Sequence, residues 1–175
     1  MKSKNKKYLI LILISLVILI LDQVTKVAVD DQFRLGESLA VVSDFFNLTY
    51  VRNTGAAFGF MADADPMFRV PFFLIIPIFA LGFIIYLFRK VESQHFSVSI
   101  ALSLVVGRAV GNLIDRVRLG YVIDFLDFHW GGKYHFPAFN VADSAICVGV
   151  AILMIDLIRT SIEEKKEKSN ASTTH

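Results

Sequence analysis

Four runs of about twenty predominantly apolar residues, at about 8–29, 67–88, 96–114 and 139–158, constrain this chain more than any other feature. Crossing roughly 30 Å of hydrocarbon takes about 20 helical residues, and a helix satisfies its own backbone inside one segment. Each run therefore predicts a transmembrane helix. Pro71 and Pro77 fall in the second, where neighbouring groups must satisfy the freed carbonyls. Composition agrees: with 55% hydrophobic residues, 16 Phe and only 19% charged residues in 175, too little polar surface remains to cover a soluble globule. A net charge of +2 lacks the basic surplus of a nucleic-acid binder, and a lone Cys147 excludes an intrachain disulfide framework or a multi-cysteine metal cluster.

The basic start MKSKNKK followed by an apolar run imitates a secretory signal peptide. The next residues, LDQVTK, offer no small-residue cleavage site, so a retained first helix is expected. Ten cations (Lys2, Lys4, Lys6, Lys7, Arg89, Lys90, Arg159, Lys165, Lys166 and Lys168) sit at the chain ends or in the short middle link. Seven others are spread over the longer connections, which places both termini on the cytoplasmic side by the positive-inside rule. Residues 1–165 read as one membrane domain and 166–175 as a disordered cytoplasmic tail. The outer connections, 30–66 and 117–138, carry SLAVVSDFFNLTYV and YVIDFLDFHW, whose turn-bounded aromatic patterns predict short strands at the membrane interface.

Ionisable groups near hydrocarbon are costly unless paired or wet, and so mark candidate sites. Asp22 and Lys26, four apart at the outer end of the first helix, can pair on one face, either structurally or functionally. Asn53 and Gly55 lie in NTGAAFG, whose small residues suit either a plain turn or a close backbone approach. In GRAVGNLIDR, Arg108, Asn112 and Asp115 share a face with Arg116 adjacent; a structural network is the plainer reading of Asp115. FNVADS places Asn140 and Asp143 three apart at the start of the fourth helix, and Asp124 and Asp127 stand in the preceding connection. Cys147 reads as a small packing residue, and His129 and His135 lack a metal-binding spacing, so no metal is expected.

Asp143 and Asp124 come from different segments, yet both arrive near the outer boundary. Two close carboxylates do not both ionise cheaply, so one retains a proton while the other stays charged. The anion can take a proton from water while the acid polarises a scissile carbonyl, which is what peptide hydrolysis requires. Spacing alone leaves Asp115 and Asp127 as alternative members.

Five motifs in order, LDQVTK (21–26), VRNTGAAFG (51–59), GRAVGNLIDR (107–116), VIDFLDF (122–128) and FNVADS (139–144), make the chain resemble the lipoprotein signal peptidases, or signal peptidase II. The resemblance covers nearly the whole length. It implies an all-α bacterial inner-membrane peptidase of four transmembrane helices, with a small extracytoplasmic β-cradle and a short amphipathic helix over the site. It implies cleavage of diacylated prolipoproteins just before the lipidated cysteine, with no cofactor and no nucleic acid. Asp124 and Asp143 match the family's catalytic dyad, and Asn53, Gly55, Asn112, Arg116 and Asn140 its substrate-facing or dyad-supporting positions. Asp22 and Lys26 match a pair implicated mainly in structure, and a single copy, surrounded by membrane lipids, contains every group needed.

One departure stands out. The family usually carries two glycines where this chain reads Gly107-Arg108. Arg108 has two expected placements, an ion pair with Asp115 or an intrusion on the substrate groove, and impaired or altered cleavage is the expected consequence. Two other classes compete with a peptidase: a small transporter or channel subunit, and a non-catalytic scaffold whose polar groups merely lock the helices.

Overall fold

The structure, a computed structural model, describes residues 2–55, 60–92 and 95–173. Four helices, α1 (Lys2–Gln32), α2 (Pro66–Lys90), α3 (Phe96–Leu119) and α4 (Val141–Thr173), are joined by strands β1 (Ser38–Val42), β2 (Phe46–Asn53), β3 (Val122–Trp130) and β4 (Tyr134–His135). Each helix contains a stretch long and apolar enough to cross a membrane. Their apolar side chains point outward: Leu9, Ile12, Phe79, Phe83, Val148 and Leu157 are all exposed. The polar groups Asp22, Lys26, Ser99, Ser103 and Asp115 lie buried inside. This distribution suits hydrocarbon as the surrounding medium.

Helix α3 is central, packing against α1, α4 and α2. Ser99, Ser103, Gly107, Gly111 and Asp115 recur every four residues along it and are all buried, so they form one seam. Small residues allow the α1 backbone to come close. Ser15 donates to the Ser103 carbonyl at 2.8 Å. A Cβ on Gly107 would meet Ile18 at 2.9 Å, and one on Gly111 would meet the Asp22 carboxylate at 2.6 Å. Gly120, with φ of 80°, adopts the left-handed conformation that stops α3. The helix therefore runs five residues past the expected end at 114, carrying Asp115 and Arg116 on rigid backbone.

Asp65 caps α2, accepting from Met67 N at 2.8 Å with Pro66 at the first helical position, and the helix continues through Pro71 and Pro77. At its other end Lys7 is buried and donates to the Phe88, Arg89 and Val91 carbonyls at 3.1, 3.2 and 2.6 Å. One cation from α1 thus satisfies the terminal carbonyls of α2. Helix α4 continues to Thr173, so helix occupies residues 166–173 where a disordered tail was expected. The Glu and Lys of that segment are good helix formers extending an established helix.

The two outer connections build one antiparallel sheet in the order β1-β2-β3-β4. The molecule is thus four long apolar helices plus a sheet, where an all-α description was expected, and among the described residues no short helix accompanies the sheet. Val29, Tyr50, Ile123 and Phe125 form a buried cluster that fixes the sheet on the end of α1. Outside it, β1 exposes its whole length, and Phe45, Trp130 and Tyr134 are likewise exposed.

Candidate active site

Backbone pairing brings the first carboxylate into place. Val51 lies opposite Asp124 and Asn53 opposite Val122, so Asn53 and Asp124 are diagonal neighbours on one sheet face. Asn53 Nδ2 donates to Asp124 Oδ2 at 2.9 Å. Phe139 pairs with Leu126, which holds the residues before α4 against β3 and places Asn140 beside Asp124. Asn140 precedes the helix as its cap, where the sequence suggested a position on the helix face. Its Oδ1 accepts from Asp143 N at 2.9 Å, the bond that opens a helix at its third residue. Its Nδ2 then faces Asp124 Oδ1 at 2.7 Å and the Ile123 carbonyl at 3.2 Å.

The second carboxylate, Asp143, receives two donors on one oxygen. Arg108 Nε reaches Oδ1 at 2.9 Å and Asn112 Nδ2 reaches it at 3.1 Å. These donors are four residues apart and share a face of α3. The expected pair between Arg108 and Asp115 does not form, because Asp115 is held by Lys26 and Gln23 at 2.8 and 2.9 Å.

Three amides hold the two acids, Asn140 and Asn112 linking them and Asn53 bracing Asp124, and each is oriented by a group that only donates. Lys26 Nζ meets Asn112 at 2.8 Å, so that atom is the oxygen and Nδ2 is left for Asp143. The Asp143 backbone N–H fixes Asn140 and the Gly55 N–H fixes Asn53 in the same way. Asn140 Nδ2 also reaches Asn112 Oδ1 at 3.2 Å, closing a path from Asp124 through Asn140 and Asn112 to Asp143. Asp124 is 2% exposed. Burial pushes its pKa up to about 7; the Asn53 amide opposes this, the Asp143 charge adds to it, and the Asn140 amide and Lys26 oppose it.

Asp22, Lys26 and Asp115 form a separate cluster. Lys26 Nζ sits 2.8 Å from each carboxylate. Asp22 Oδ1 accepts from Ala142 N at 3.0 Å and Asp115 Oδ2 from Ile123 N at 3.2 Å. These are the residues immediately before Asp143 and Asp124. Each structural acid therefore fastens the backbone next to one member of the candidate dyad. Gln23, unremarked in the sequence, joins the cluster, donating to Asp115 Oδ1 and to the Gly111 carbonyl of the α3 seam. Only the seam's periodicity, small residues at 99, 103, 107 and 111, was visible beforehand.

Arg116 Nη2 donates to the Gly55 carbonyl at 2.6 Å, and its guanidinium lies 4.7 Å from the centre of the Phe73 ring. A Cβ on Gly55 would collide with the Phe60 carbonyl and approach Ala62 N to 2.9 Å, so the tight loop requires glycine there. Residues 56–59 of the NTGAAFG motif lie outside the described residues. Asp127 faces away from this network, accepting from Thr49 and meeting His135 Nδ1, each at 2.9 Å. Among the described residues no group of three or more His, Cys, Asp or Glu side chains is arranged to hold a metal ion. Cys147, expected to pack, is exposed on α4.

Residues 14–159 match the signal peptidase (SPase) II family. The chain is 52% identical to the lipoprotein signal peptidase of Geobacter sulfurreducens over 149 residues, covering 85% of this chain and 89% of that one. It is 49% identical to that of Syntrophus aciditrophicus over 165 residues, covering 94% and 99%. A solved bacterial membrane enzyme, 38% identical, superimposes with a TM-score of 0.76 over 86% of this chain and 88% of its own. By sequence match, fold and carboxylate content alike, the chain belongs to the signal peptidase II family and is a membrane peptidase of the aspartic type.

Proposed function

We propose that this chain removes the signal peptide from diacylglyceryl-modified prolipoproteins, cutting before the lipidated cysteine with a water activated by Asp143 and Asp124. The observation carrying the proposal is the junction of these two acids, from different segments, through the amides of Asn140 and Asn112. Asp124, buried and with its pKa near 7, retains the proton and gives it to the scissile carbonyl as the oxyanion develops. Both of its oxygens already accept amide hydrogens. Asp143 keeps Oδ2 without a donor among the described residues, and that oxygen takes the proton from water.

A lipidated peptide stays in the bilayer, so the acid–base pair must come to it. The termini are cytoplasmic and the site lies at the outer leaflet boundary of the bacterial inner membrane, where water meets acyl chains. The sheet serves as a cradle for the peptide, and one copy suffices because it supplies every group named. Two features argue against a conduction path and a mere scaffold. Apart from Lys7 at the end of α2, the buried charges among the described residues lie on the sheet or where α1 and α3 end and α4 begins, and one acid is held by amides with no cation directly on it.

The test is gel-shift processing of a diacylated prolipoprotein by the parent, Asp124→Asn and Asp143→Asn proteins. Each substitution is expected to cut processing by about a thousandfold or more while the protein still inserts in the membrane. Full processing by either variant overturns the role given to that residue.

A further inference from the structure

We propose that Arg108 is a positioning residue that clamps Asp143 Oδ1 and so aims the free Oδ2 at the attacking water. The inference rests on the dyad reading above and adds to it a residue in direct contact with Asp143. Arg108 Nε and Asp143 Oδ1 form an ion pair at 2.9 Å, with the two side chains 39% and 24% exposed. Asp124 is locked from both sides by amides, one on each oxygen. Asp143 has no such pair of locks. Its donors, Arg108 and Asn112, both end on Oδ1. With Asn112 alone, at 3.1 Å, the carboxylate would pivot about that single bond; a second donor from one turn below fixes its plane.

The other charged groups bearing on Asp143 leave no alternative clamp. Arg116 on α3 is engaged with the Gly55 carbonyl, and Lys26 on α1 with Asn112, Asp22 and Asp115. Asp124 on β3 is engaged with Asn53 and Asn140, and Asp22 on α1 and Asp115 on α3 with Lys26 and backbone N–H groups. Arg108 is therefore the one cation among these in direct contact with the dyad. Its long stem also reconciles its depth in α3 with an ionic head: it extends toward the α4 terminus, where the charge is matched.

The experiment measures kcat and KM separately for the full chain in detergent–lipid micelles, with a synthetic diacylated prolipoprotein peptide as substrate. Arg108→Gln, which keeps a donor without the charge, should lower kcat severalfold, and Arg108→Gly about tenfold, with KM within about twofold. Millimolar ethylguanidinium, filling the slot left by Arg108→Gly, should restore kcat at least threefold and leave the parent unaffected. Parental kcat in Arg108→Gly, a loss confined to KM, or a kcat loss that ethylguanidinium leaves unrestored overturns the proposal. Size-exclusion profiles accompany each variant, and if Arg108→Gly misfolds, Arg108→Gln decides by the same kcat criterion. Asp143→Asn in the same assay separates the two readings. Its retained activity sinks the dyad itself, whereas its inactivity beside a fully active Arg108→Gly sinks only the clamp.

Discussion

Two carboxylate clusters sit within one network at one end of the helix bundle, and they are built on opposite principles. Asp22 and Asp115 share one ammonium, Lys26, at 2.8 Å each, and their remaining acceptor capacity goes to the Gln23 amide and to backbone N–H groups of α4 and β3. The two carboxylates share that one cation, and each of their oxygens already accepts a donor. Asp124 receives only neutral amides, while Asp143 keeps one oxygen open. Amides stabilise a carboxylate far less than a cation does, so burial prevails at Asp124 and a proton is held near neutral pH. A shared cation with every oxygen engaged holds Asp22 and Asp115 in place; amide-only contact at Asp124, and an open oxygen beside the Arg108 contact at Asp143, leave those acids able to exchange a proton. The first cluster also supports the second, since it fastens Ile123 and Ala142, the backbone neighbours of both proposed catalytic acids.

The comparison can be broken at its strongest point. Lys26→Met should destabilise the protein by about 3–5 kcal/mol, because two buried carboxylates lose their cation. The thermal midpoint of the detergent-solubilised protein reads this, and Asp124→Asn should move that midpoint much less. A Lys26→Met protein as stable as the parent but inactive would merge the two clusters into one catalytic unit. Asn112, which belongs to both, comes next. Asn112→Ala removes a donor from Asp143 and an acceptor from Lys26, and should lower kcat about a hundredfold through misplacement of the base. An unchanged kcat would mean the two clusters are merely adjacent.

The smallest expected effect is a shift in pH dependence. Asp124 must be protonated to act as the acid, so kcat/KM should fall as pH rises through about 7. Asn53 stabilises the charged form of Asp124, so Asn53→Ala lets the proton persist to higher pH and moves that fall upward. A downward shift or none, in a profile taken between pH 5 and 9 (roughly two pH units either side of an ordinary catalytic pKa), would remove Asn53 from the acid's environment.

Much of this was legible before any coordinates. Run length over residues 8–29, 67–88, 96–114 and 139–158 predicts the helices, because hydrocarbon thickness leaves few alternatives. The strands were foreshadowed in SLAVVSDFFNLTYV and YVIDFLDFHW, although not that both join one sheet. The candidate acids were named, but spacing left Asp115 and Asp127 in contention with them. Arg108 shows the limit most clearly: a seven-residue separation puts it on the same face as Asp115, yet Lys26 from another helix already occupies that acid. Lys7 is similar. It reads as one cation in a basic cytoplasmic start, and it spends its charge on the last carbonyls of α2.

The sequence by itself determined the medium, the number of apolar helices and the set of side chains able to do acid–base chemistry, because those depend on composition and local periodicity. Tertiary structure alone decided which acid meets a cation and which meets only amides. That choice rests on contacts between residues as distant as Asp22 and Ala142, or Asn53 and Asp124, which helix seams and strand register set and no local pattern encodes.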